Sequence, residues 1–226
     1  MKAKPVSTRN AKPSTKTGPA PDASPAIPVA MLEKLSPVVM ETYASGDFHL
    51  ADMRTIARES STSFRSIYKY FGDKQALLFR FINYWFEGLY PAAIAPLDGD
   101  EPIAERLRQV LMRHCDFYER NPQVGRIVFI TVPLSCWMQD ESYAQPEVMD
   151  KLLRAIRQGQ ARGELRSDVP ALAILDAFNG VFNRTFLMWE YRGRKGSLSK
   201  QADLMFKVFW GGIEGEVKQR ARRSRP

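Results

Sequence analysis

Apolar residues recur at helical spacing through most of this 226-residue chain, broken by capping residues and prolines. Met31, Leu35, Val38, Val39 and Tyr43 form the first such series, and it stops at Gly46, which predicts a helix over about 29–45. Asp52 is a good N-cap for a short second helix, MRTIARES, whose inward stripe is Met53, Ile56 and Ala57. The run SSTS interrupts it. Ser63 can cap a third helix, FRSIYKYF, with Ile67 and Phe71 four apart on one face, and Gly72 ends it. Asp73 can cap a fourth, running through KQALLFRFINYWFEGLY to Pro91. The spacing then predicts five more helices, at about 101–120, 122–138, 146–162, 169–192 and 199–222. Pro122, Pro146 and Pro170 stand where helices begin, and Gly163 where one ends. The fold class is all-α, with about nine helices.

The second and third helices, joined by a tight polar turn and braced on both sides, form a helix-turn-helix arrangement. Ile56, Ala57, Ile67, Phe71 and Leu77 are its expected core. That leaves Ser63, Phe64, Arg65, Ser66, Tyr68, Lys69 and Tyr70 as candidates for facing outward, with Arg54 of the preceding helix beside them. Hydroxyls, a guanidinium and an ammonium in such a cluster suit phosphate oxygens and base edges.

Composition changes this picture little. With 44% apolar residues the chain can bury one substantial core, or a small domain attached to a larger one. The net charge of +8 sits in the tails: Lys2, Lys4, Arg9, Lys12 and Lys16 face only Asp22 in the first thirty residues, and Lys218, Arg220, Arg222, Arg223 and Arg225 crowd the last nine. Basic ends can touch nucleic acid or simply aid solubility. Residues 1–28, rich in Pro, Ala, Ser, Thr and Lys, are expected to be disordered, and they lack the apolar run of a signal peptide. The apolar stretch 171–189 is interrupted by Asp176, Asn179, Asn183 and Arg184, against a spanning helix. Cys115 and Cys136 are too few for a disulfide framework and belong to no metal motif, so the expectation is a soluble, cytoplasmic protein without metal or cofactor. With His49 and His114 the only histidines, and neither a nucleophile elbow nor a phosphate-cradling glycine loop, no catalytic constellation is visible.

The residues Ile56, Ala57, Ser63, Ser66, Ile67, Tyr68, Tyr70, Phe71, Lys74, Leu77 and Leu78 fill a pattern that resembles the DNA-binding domain of the TetR family of transcriptional regulators. The resemblance covers about 50 residues. It implies that Tyr68 and Lys74 contact phosphates and that Phe64, Arg65, Ser66 and Lys69 face the major groove. The chain departs from the pattern at Ser61-Thr62, where the family usually has Gly-Val, at Arg65, where it has a small residue, and at Asp52, where it prefers Thr. A carboxylate at 52 would repel phosphate, whereas an arginine at 65 can grip guanine with two hydrogen bonds.

The resemblance further implies three parts: a DNA-binding domain at 29–78, a helical ligand-binding and dimerisation domain at 79–222, and basic tails at 1–28 and 223–226. The last two long helices would pair with their twins in a homodimer, with Gly180 and Gly211 permitting close approach. Phe178, Phe182, Phe186 and Trp189, at steps of four, four and three residues, read as core or dimer interface ahead of ligand pocket. The central helices nevertheless hold more aromatic and sulfur side chains than one helical layer needs. Met112, Cys115, Phe117, Phe129, Trp137, Phe178 and Phe182 are therefore the candidates to line a site for a hydrophobic small molecule. The expected function is a ligand-responsive repressor that leaves a palindromic double-stranded DNA operator when such an inducer binds. The alternative is a helical small-molecule or partner-binding protein without DNA-binding activity.

Overall fold

The computed structural model describes residues 26–45, 48–138 and 145–215. The tails at 1–25 and 216–226, the expected stop at Gly46 and the last turns of the helix expected to reach 222 lie outside the described residues. Among the described residues the regular elements are eleven α-helices, with short 3₁₀ and π-helical turns and no strand. They are α1 (Val29–Ala44), α2 (Met53–Glu59), α3 (Phe64–Phe71), α4 (Lys74–Glu87), α5 (Tyr90–Ile94), α6 (Ile103–Arg120), α7 (Pro122–Arg126), α8 (Leu134–Trp137), α9 (Pro146–Ala161), α10 (Ala171–Tyr191) and α11 (Leu198–Ile213).

Two of the expected helices are broken, which raises the count from nine. The fourth stops at Glu87, before Gly88, and Pro91 falls in the first turn of a separate α5, where its missing N–H leaves no bond unmade. The segment 122–138 divides at Val132 and Pro133. Proline disfavours helical backbone in the residue before it, and Val132 is extended at φ −78° and ψ 120°.

The N-terminal part is α1 to α3 with the start of α4. Leu32, Leu35, Val39 and Tyr43 form the buried face of α1, and the Trp85 indole N–H donates to the Ser36 hydroxyl at 2.9 Å, fixing α1 to the last turn of α4. Beyond α4, α6 runs through the interior in contact with α5, α10 and α11, and α9 covers α5 and α10. The interior there is dense with rings: Tyr118, Phe129, Phe182 and Phe186 stand 5.3 to 6.3 Å apart, the separations of packed aromatic pairs. Gly125 permits this arrangement, because the Phe186 ring lies directly on its Cα where any side chain would stand.

Candidate nucleic-acid interface and ligand cavity

The three expected caps all form. Asp52 accepts from the N–H groups of Arg54 and Thr55, Ser63 from Ser66 at 3.0 Å, and Asp73 from Gln75 and Ala76 at 2.9 and 2.8 Å. Ile56, Ala57, Ile67, Phe71 and Leu77 are buried beneath them, as the pattern requires. Between α2 and α3 the chain turns at Ser61, whose φ of +47° lies in the left-handed region. The Lys34 ammonium of α1 donates to the Ser61 carbonyl at 2.8 Å and braces the turn. Lys34 escapes sequence reasoning because nothing in its own helix marks it out from any other solvated lysine.

With the core beneath, the outer side of α3 is polar and aromatic. Arg54, Ser63, Phe64, Arg65, Tyr68 and Lys69 are exposed, while Ser66, Tyr70 and Lys74 are half-buried. The Ser66 hydroxyl is occupied by that of Ser63 at 2.7 Å, and Lys69 lies over the Tyr70 ring at 5.3 Å. Lys74 is tied back to the chain before α2: its ammonium donates to the carbonyls of Phe48 at 3.3 Å and His49 at 3.0 Å and stands over the Phe48 ring at 5.1 Å. The Asp52 carboxylate is fully exposed beside this face, and the backbone N–H of Arg54 with those of Thr55 holds it below the usual carboxylate range. It remains a negative charge next to the cations.

The far end of α4 borders an open cavity of about 670 Å³, lined by Asn83, Phe86 and Glu87 of α4, Tyr90, Pro91 and Ile94 of α5, and Gln145 to Val148 at the start of α9. That volume and apolar lining suit a drug-sized ligand. None of the seven residues expected to line a ligand site is among its described walls. Cys115, Trp137, Phe178 and Phe182 are buried. Phe129 and Phe182 belong to the ring cluster, Phe178 stands against Phe209 and Trp137 against Phe79. Met112 and Phe117 line smaller hollows, on either side of α6. The structure therefore brings Phe129 and Phe182 together, with ring centroids 5.6 Å apart. A bridge joins cluster and cavity: Tyr90, in the cavity wall, lies 6.2 Å from the His114 ring, which lies 5.9 Å from Phe182. Burial holds the His114 imidazole below its usual pKa, with the Val110 carbonyl 3.0 Å from Nδ1, and burial pushes the Cys115 thiol up, away from the reactive thiolate.

Residues 40–81, from the end of α1 to the middle of α4, match the sequence model of the bacterial regulatory proteins of the tetR family. That segment is similar to the DNA-binding part of the TetR regulators. Solved structures of this shape cover most of it. The transcriptional regulator FadR from Bacillus subtilis, in complex with stearoyl-CoA, superimposes on 80% of this chain and 99% of its own, with TM-score 0.72 and 14% identity. A tetR family regulator from Shewanella sp. PV-4 does so over 81% and 97%, with TM-score 0.66 and 19% identity. The ketosteroid regulator KstR2 of Mycobacterium tuberculosis covers 82% and 95%, with TM-score 0.65 and 15% identity. No curated protein matches the sequence.

The backbone accounts for one departure from the pattern that the sequence resembles. At the turn position where that pattern has glycine, Ser61 adopts the left-handed conformation that glycine favours, and the Cβ makes it strained. Among the described residues no helix is long and apolar enough to cross a membrane, and no three His, Cys, Asp or Glu side chains could hold a metal ion.

Proposed function

We propose that this TetR protein is a homodimeric repressor that binds a near-palindromic DNA operator through α3 and leaves it when an apolar or amphipathic small molecule enters the C-terminal domain. The observation that supports this most is the course of α4. Its first turn holds Leu77 in the core of the helix-turn-helix and Lys74 against the approach to α2, and its last turn places Phe86 in the cavity wall. One rigid element thus ends in both sites. A ligand that favours one tilt of α4 changes the spacing between the two α3 helices of a dimer.

In this reading Tyr68 and Lys74 position the duplex on its phosphates, Lys74 with the one N–H that the two carbonyls leave over. Arg54, Ser63, Phe64, Arg65, Ser66, Lys69 and Tyr70 face the groove or its rims. The 670 Å³ cavity is the first point of ligand entry, and the aromatic cluster behind Tyr90 and His114 opens if the ligand extends inward. A long acyl chain, as in the ligand of FadR, is one class that such walls would accept.

A mobility shift on the DNA upstream of the chain's own coding sequence tests the first half. Affinity should fall steeply between low and physiological salt, by the counterion release that phosphate contacts cause. Absence of any salt-dependent binding would leave the alternative, a helical binding protein that does not use DNA. Addition of a long-chain acyl thioester or a free fatty acid tests the second half: an inducer lowers operator affinity roughly 5- to 150-fold, the range of ordinary allosteric coupling.

A further inference from the structure

Phe64 is the one residue of the α3 face whose chemistry suits no phosphate. It is the first residue of α3, and 43% of it is exposed. A phenyl ring left this open forgoes much of the free energy that burial would give it. Its neighbours hold the ring without covering it. The Arg54 guanidinium lies over the ring, 5.8 Å from its centroid, and the Tyr68 ring stands 6.3 Å away at a tilt of 30°, one turn further along α3.

In helix-turn-helix complexes the N-terminal residues of the second helix are the ones that reach base edges. In the major groove the four bases present donors and acceptors, and thymine alone adds an apolar group, its 5-methyl. We propose that Phe64 reads the 5-methyl group of one thymine in each half-site, with Arg54 as the positioning residue that holds the ring against α2. This rests on the DNA-binding reading above. Arg65, the next residue and exposed beside it, is free to read a neighbouring guanine by two hydrogen bonds, so the two residues specify an apolar and a polar contact side by side.

The test uses the full-length chain and a pool of randomised duplexes. Sequences enriched by the wild-type protein are resynthesised with deoxyuridine in place of each thymidine in turn, which deletes only the methyl group. At one thymine per half-site the replacement weakens binding about fourfold, the factor expected for one methyl-sized contact. In Phe64→Ala, whose exposed site leaves folding intact by circular dichroism, deoxyuridine and thymidine bind alike at that position. Arg54→Ala reduces the methyl penalty. A merely structural role for Phe64 would lower affinity for both bases equally and keep the fourfold ratio, which overturns the assignment, as does a half-site with no methyl-sensitive thymine. An unchanged ratio in Arg54→Ala removes Arg54 from it. A pool from which nothing is enriched overturns the DNA-binding reading itself, and the assignment with it.

Discussion

Two residues show how single side chains set the stability of this molecule. Ser61 occupies left-handed backbone at φ +47°, a conformation that costs a residue with a Cβ about 1–2 kcal/mol. Glycine relieves that strain but loses about 0.5–1 kcal/mol to its greater freedom in the unfolded chain. Ser61→Gly is therefore expected to stabilise the protein by about 0.5–1 kcal/mol in urea unfolding, with the Lys34 brace retained because it uses the backbone carbonyl. His114 acts through pH. Burial lowers its folded pKa, so above the unfolded value of about 6.5 it is neutral in both states and contributes nothing to pH dependence. As pH falls below that value the unfolded chain takes up the proton first, and stability is lost until the folded pKa is reached. Urea midpoints measured at pH 7.5 and at pH 5 should show a larger drop for the wild type than for His114→Phe, which has no proton to take. Equal drops would mean that the carboxylates alone account for the acid side.

At the scale of elements, the turn of α7 into the π-helical segment depends on the Phe186 ring resting on Gly125. Gly125→Ala must displace that ring within a cluster whose other members already touch, and overpacking of this kind costs about 1–3 kcal/mol. Chemical denaturation and the near-ultraviolet circular dichroism of the aromatic residues would report it. The starts of α2, α3 and α4 were legible in the sequence, because each begins at a side chain that caps it: Asp52, Ser63 and Asp73 all accept the bonds expected of them. The breaks at Gly88 and Pro133 were not, since helical periodicity runs on across them and only the local backbone of Val132 and the first-turn placement of Pro91 reveal them. The outward set on α3 was legible for the same reason as its core, both following from one helical face. The cavity was not. Its walls come from residues 83–94 and 145–148, distant in sequence, and a concave surface made by three helices leaves no periodic trace in any of them. Aromatic abundance pointed instead to the ring cluster, which the structure shows as closely spaced rings.

At the scale of the whole molecule, an apolar surface lies on the outer side of the last two long helices. Leu172, Leu204, Met205, Val208 and Tyr191 on the outer side of α10 and α11 are 41% to 84% exposed, while Gly180, Gly211 and Gly212 present bare backbone with nothing near the position of a Cβ. Leu204, Val208 and Gly211 recur at helical spacing on one stripe of α11, the stripe on which the proposed homodimer would pair. In the proposed dimer two α3 helices would bind two half-sites as one event, because occupation of the first holds the second at millimolar effective concentration. The double substitution Leu204→Glu with Val208→Glu places charge where a partner must exclude water, and at micromolar concentration it should sediment as a monomer with unchanged helix content. Its operator affinity should then fall by roughly 10²- to 10⁴-fold, the gain that linkage supplies. Leu134→Glu on α8, where the parent leucine is 66% exposed but lies off that stripe, is the control and keeps the dimer. A double variant that remains dimeric would move the interface elsewhere, and with it the geometry by which α4 could alter the spacing of the two recognition helices.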